Sequence, residues 1–151
     1  MIIVGAKGFA KEVLEVFHQL GKTEGIDIGD LLYDTFPILK NNRDVITYFE
    51  KKGFEFTIGI GNPYLRYKLY LKFKKLGGKF TSSISPLSNI GSFGVIIKEG
   101  VNILSNAIIS NSAKIGKGCI IYYNVLITHD CIIDDFVELS PNAILLGSVK
   151  I

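Results

Sequence analysis

The sequence predicts an α/β unit over residues 1–80, followed over residues 81–151 by an all-β, left-handed parallel β-helix built from a hexapeptide repeat. Three observations carry this prediction. The second half has an unbroken six-residue period, and the first half alternates strand and helix patterns. Near residue 81 the composition also shifts, from Lys/Leu/Glu-rich text to Ile, Asn, Ser and Gly.

The period comes first. Every sixth residue from Val95 is small and apolar: Val95, Val101, Ala107, Ala113, Cys119, Val125, Cys131, Val137, Ala143 and Val149. Two positions after each lies Ile or Leu, from Ile97 to Ile151, and the position before each is often Gly, Asn, Ser or Asp. Such a hexad makes a short strand with one small and one large inward residue, then a turn, and three hexads close a triangular coil. Gly and Asn supply the permissive corner backbone, while stacked isoleucines fill the prism. "SSISPLSNIG" keeps the pattern, but the step from Ile90 to Ile97 is seven, so one residue should bulge between Ser92 and Gly94. From Thr81 to Ile151 about four coils fit. The repeat is still running at Ile151, which reads as a C-terminally truncated prism.

In the first half, "MIIVG" is a short apolar strand, and "AKEVLEVFHQLG" places Val13, Leu14, Val16, Phe17 and Leu20 at helical spacing before Gly21. The connecting Gly5-Ala6-Lys7-Gly8 is a candidate phosphate cradle, because glycines admit an anion to the backbone and helix N-terminal N–H groups point at it. The G-x-G-x-x-G fingerprint is only partly met, with Lys7 and Ala10 at its second and third glycine positions, and a plain βα turn explains the same text. "DLLYDT" reads as a second strand and "NRDVITYFEKKG" as a helix. "FEFTIGIG" reads as a third strand, followed by a basic helix from Asn62-Pro63 to Leu76. Alternation of this kind implies a parallel sheet, and an acid at a strand end, such as Asp34, stands where ribose or base recognition often occurs. The basic helix reads as amphipathic with a solvated lysine face; attraction of a phosphorylated ligand or an acidic membrane surface is the alternative. His18, mid-helix, is assigned no function.

Composition excludes several classes. The chain has 151 residues, 48% hydrophobic, and a net charge of +3, too small an excess to indicate nucleic acid. Cys119 and Cys131 occupy small apolar slots without C-x-x-C spacing and read as buried thiols in a reducing compartment. No apolar run approaches the roughly 18 residues of a membrane span, and no secretory signal is visible, so a cytoplasmic location is expected. Only one histidine lies in the repeat, so no metal site is expected.

That histidine, His129, falls four residues after inward Val125 and therefore at an outward corner. A solvated corner would suit it equally. The opening "IIVGAKGFAKEVLEVF", then "FTIGIGN" with Arg66 following, then "ITHDCIIDDFVELSPNAILLGSVKI", resembles the sialic-acid O-acetyltransferase and bacillosamine or perosamine N-acetyltransferase group of hexapeptide-repeat sugar acetyltransferases. The resemblance spans nearly the whole chain. It implies a homotrimer whose N-terminal unit binds the nucleotide of a nucleotide-linked amino sugar (Gly5, Lys7, Gly8, Asp34), with acetyl-CoA in the groove between neighbouring prisms. It also implies His129 as general base, Asp130 as the acid orienting it, and a backbone N–H at Gly147 facing the thioester oxygen. The chain departs from the group at Glu138, where a second histidine is common, at Tyr122 in place of an asparagine, and at Ser85-Pro86 in place of His-Pro. The expected activity is acetyl transfer from acetyl-CoA to the sugar amine, without a metal. Sugar O-acetylation of the sialic-acid type and a non-catalytic trimeric sugar-nucleotide-binding remnant are the alternatives.

Overall fold

A computed structural model describes residues 1–5, 8–22 and 39–151 of the chain. Lys7, Asp34 and the strand expected in "DLLYDT" lie outside the described residues.

Strand β1 (Ile2–Val4) pairs in parallel with β2 (Glu55–Ile58), which pairs in parallel with β3 (Lys79–Phe80). Alternation along these strands splits the sheet into two faces. Ile2, Val4, Phe56 and Ile58 join a cluster with Val45 and Phe49 of helix α2 (Asn42–Lys52) and Phe73 of helix α3 (Pro63–Lys75). Thr57, on the other face, is fully buried and donates through Oγ1 to Asn102 Oδ1 of the prism at 3.0 Å. Both later helices begin on an asparagine cap: Asn41 accepts from the Asp44 N–H and Asn62 from the Leu65 N–H. Pro63 at the first turn of α3 loses no helical bond.

The prism begins with β4 (Ser83–Ile84), and its two-residue strands then follow at six-residue intervals, apart from one longer step. β4, β7 (Asn102–Ile103), β10 (Ile120–Ile121) and β13 (Glu138–Leu139) form the first face. β5 (Asn89–Ile90), β8 (Ile108–Ile109), β11 (Leu126–Ile127) and β14 (Ile144–Leu145) form the second, and β6 (Ile96–Ile97), β9 (Lys114–Ile115) and β12 (Ile132–Ile133) the third. All pairings are parallel, so the chain winds as a β-solenoid. The longer step falls between Ile90 and Ile96, and Phe93 there is 74% exposed, which is the bulge that the seven-residue interval predicts.

The interior is the pair of files read from the sequence. Val101, Ala107, Ala113, Cys119, Val125 and Cys131 are fully buried beside Ile103, Ile109, Ile115, Ile121, Ile127 and Ile133. Each such isoleucine contributes about 1.5–3 kcal/mol by leaving water. Corners explain the residue before each small position. Asn106, Ser112, Asn124, Asp130, Phe136, Asn142 and Ser148 all have φ near +60°, as have Gly94, Gly100 and Gly118 in the same register. A left-handed residue at every sixth position turns the chain, and Asn, Asp and Gly meet that demand at least cost. Both cysteines are free and buried, and burial pushes the Cys119 thiol up to about 11.

Helix α1 (Phe9–Gln19) couples the two halves. Phe9, Val13, Val16 and Phe17 lie along one stripe and pack against outward Leu104 and Ile120 of the first prism face. The first face is therefore covered by the N-terminal unit. The second face carries Ile108, Leu126 and Ile144 outward in direct register, with Ile108 46% and Ile144 62% exposed.

Candidate functional site

His129 and Asp130 occupy the corner between β11 and β12. Asp130 takes φ 60°, which swings its carboxylate beside the imidazole, and His129 Nδ1 lies 2.8 Å from Asp130 Oδ2. A carboxylate only accepts, so Nδ1 carries the proton and donates, leaving Nε2 with a free lone pair. Both side chains are open to solvent, at 66% and 57%. The pair is thus presented outward, as the period requires, rather than stored in the core.

One coil later, at the equivalent corner, stands Gly147. A Cβ built there would lie 2.6 Å from His129 Cε1 and 2.7 Å from Nε2, so the imidazole rests on the bare glycine backbone. Ser148 N–H bonds the His129 carbonyl at 3.0 Å and holds the two corners in stack. Among the described residues the Gly147 N–H makes no backbone hydrogen bond, which leaves it available to an incoming oxygen. Alanine at 147 is expected to push the ring off this seat: acetyl transfer should fall in kcat by at least about ten-fold with the thermal midpoint nearly unchanged. Steady-state kinetics beside a melting curve check this.

The glycine-rich turn is the second locus. Gly8 opens α1 at φ 47° and offers no side-chain cap, although its carbonyl accepts from the Lys11 N–H at 3.0 Å. Gly5 takes φ 126°, and a Cβ there would meet the Gly59 carbonyl oxygen at 2.8 Å. The alanine at the third fingerprint position also has its explanation. A Cβ on Gly59 would lie 2.6 Å from Ala10 Cα, so the close helix-to-strand approach is made by a glycine on the facing strand end instead. His129, Asp130 and Gly147 converge on one corner; Gly5 and Gly8 lie apart from them at the N-terminus of α1.

Sequence reading missed a buried polar centre where the start of α3 and the loop after β2 meet the prism. Arg66 is completely buried and donates to the carbonyls of Gly118, Ile60, Gly61 and Phe136, and also reaches Glu138 Oε2 at 3.4 Å. Burial lowers its pKa, and the negative charge of Glu138 acts against that. Glu138 is thus a partner of this arginine. Nearby, burial pushes Tyr122 up to about 12, with Glu138 and Glu12 adding to the rise. Glu12 Oε2 is a buried acceptor with no hydrogen-bond partner among the described residues, and its desolvation raises the carboxyl pKa. Among the described residues no group of His, Cys, Asp or Glu could hold a metal ion, and no helix is long and apolar enough to cross a membrane.

Comparison with known proteins agrees with this architecture. Residues 1–73 match the PglD N-terminal domain. The structure superposes, with a TM-score of 0.86 and 25% identity over 99% of this chain and 72% of the other, on a histidine-to-asparagine mutant of perosamine N-acetyltransferase from Caulobacter crescentus in complex with CoA and GDP-perosamine. It superposes equally on the acetyltransferase domain of PglB from Neisseria gonorrhoeae FA1090 in complex with acetyl coenzyme A, with a TM-score of 0.83 and 26% identity over 99% of this chain and 74% of that one. A probable mannose-1-phosphate guanylyltransferase 3 from Oryza sativa subsp. japonica is 40% identical over 51 residues; that stretch is 34% of this chain and only 14% of the curated relative's length. With a PglD-type N-terminal domain set on a left-handed prism of about four coils, the chain is similar over nearly its whole length to the perosamine and PglB sugar acetyltransferases of the hexapeptide-repeat class.

Proposed function

We propose that the protein transfers an acetyl group from acetyl-CoA to the amine of a nucleotide-linked amino sugar, with His129 as general base. The observation that carries this reading is the corner itself: an exposed imidazole whose Nδ1 is held by Asp130 and whose Nε2 side rests against the bare backbone of Gly147. Nε2 takes the proton that the sugar amine loses as its nitrogen attacks the thioester carbonyl. Asp130 stabilises the imidazolium formed in that step. Gly147 N–H donates to the carbonyl oxygen as it becomes negative, and the imidazolium returns its proton to the leaving sulfur.

In this reading residues 1–80 hold the nucleotide and residues 81–151 the chemistry. The uncapped start of α1 with Gly5, Lys7 and Gly8 receives phosphate, and Asp34 the ribose or base. The relatives crystallised with CoA and GDP-perosamine, or with acetyl coenzyme A, support both ligand classes. The in-register apolar stripe of Ile108, Leu126 and Ile144 supports a homotrimer, because a second copy would cover it. The protein works in the cytoplasm, where both substrates are made.

The experiment is acetyl transfer from acetyl-CoA to UDP-, GDP- and CMP-linked amino sugars, followed by thiol release, on protein whose mass is read by sedimentation equilibrium. Release with one nucleotide sugar by a trimer is the expected result. Thiol release that needs no nucleotide sugar, or that occurs only with a free sugar hydroxyl, would replace the reading with O-acetylation. Nucleotide-sugar binding without any release would replace it with a binding remnant.

A further inference from the structure

Helix α3, "PYLRYKLYLKFKK", contains no acidic residue, and its packed side consists of buried Arg66 and Phe73 with half-buried Leu69 and Tyr70. The amphipathic reading makes its outer side a hydrated lysine face; Lys68, Lys72, Lys74 and Lys75 are indeed exposed, but apolar residues stand exposed among them. Tyr64, Leu65 and Leu71 are 66%, 42% and 48% exposed and share the outward arc with Lys68, Lys72 and Lys75, while Tyr67, at its edge, packs edge-on against Phe136 of the prism at 5.4 Å. Lys68 folds over the Tyr64 ring at 4.2 Å, so charge and aromatic surface are interleaved rather than segregated. None of Lys68, Lys72 and Lys75 has a carboxylate partner among the described residues, whereas Lys74, at the edge, approaches Glu99 at 3.9 Å.

We infer that this face of α3 docks on an anionic lipid surface. Tyrosines and leucines at the level of lysine ammonium groups suit a headgroup boundary: the rings and aliphatic chains enter the apolar edge while the lysines reach outward to phosphate. Each lysine near such a surface contributes about five-fold to binding through its charge. A patch of lysines alone would suit any polyanion, and an apolar patch alone would suit any apolar partner. Their interleaving on one convex, acid-free helix selects the bilayer. The inference is independent of the acetyl-transfer reading, since α3 presents this face away from the prism contacts of Arg66.

The test is co-sedimentation of the intact chain with phosphatidylcholine vesicles with and without phosphatidylserine, together with a single-stranded oligonucleotide as a second polyanion. Partition onto the phosphatidylserine vesicles only is expected. It should fall at least about ten-fold in Lys68→Glu/Lys72→Glu/Lys75→Glu and clearly also in Tyr64→Ser/Leu71→Ser, whose charge is unchanged. All altered side chains are exposed, and circular dichroism verifies the fold. Absence of partition, or partition untouched by the lysine reversal, overturns the inference. Oligonucleotide binding that matches vesicle binding and ignores the Tyr64/Leu71 change overturns it in favour of nucleic acid.

Discussion

Alanine at position 129 is expected to lower kcat for acetyl transfer by about 10²–10⁴-fold, the range that a positioned general base supplies. The side chain is 66% exposed and makes no packing contact with the prism core, so folding and assembly should survive. Two companion variants separate chemistry from architecture. Asp130→Asn keeps a residue suited to φ 60°, since Asn106, Asn124 and Asn142 fill the same corner position in other coils, and removes only the carboxylate. It should lose activity because Nδ1–H no longer has an anionic acceptor to fix the ring and stabilise the imidazolium. Asp130→Ala adds backbone strain to the same chemical loss and should be no more active. If turnover in His129→Ala stays at the parent level, His129 is an ordinary corner residue and the base lies elsewhere. Thiol release under saturating substrates is the measurement.

How far the sequence could be read follows from where information is periodic. In the prism each hexad repeats the same three demands, for a small inward residue, a large inward residue and a left-handed corner, so Val125, Ile127 and Asp130 each announce their place. That frame turns His129 outward; Gly147 is pointed to by the family resemblance alone, and the structure sets it three hexads on against the imidazole. The N-terminal unit has no such redundancy. Ala10 looked like a defect in a glycine fingerprint, because its compensation, Gly59, lies far along the chain and is joined to it only by the strand pairing of β1 with β2. Helix α3 misled for a related reason. A lysine-rich pattern fixes what can be solvated, but which apolar residues remain uncovered depends on how little of the helix the sheet reaches.

Arg66 shows the same limit and carries the other large expectation. Arg66→Met is expected to destabilise the protein by about 3–5 kcal/mol, the usual cost of breaking a buried charged centre. At this size that lowers the thermal midpoint by about 10 °C. Among the described residues the guanidinium is the only donor set facing the carbonyls of Gly118, Phe136, Ile60 and Gly61, which belong to two prism corners and to the loop after β2. Methionine fills the volume but leaves those carbonyls buried and unpaired, and each orphaned acceptor costs about 1–3 kcal/mol. Lysine should not rescue, because one ammonium cannot reach carbonyls spread along a planar fork. Glu138→Gln is the informative control. Its contact with Arg66 is long at 3.4 Å and its side chain is 29% exposed, so solvent screens the pair and the loss should stay within about 1 kcal/mol. A glutamine that destabilised as much as the methionine would make the ion pair the anchor, and the carbonyl cradle secondary. If the cradle is the anchor, Arg66→Met should also raise KM for the nucleotide sugar more than it lowers kcat. The loop at Gly59–Asn62 would loosen against the prism, while the corner of His129 and Gly147, built from prism strands alone, would keep its geometry.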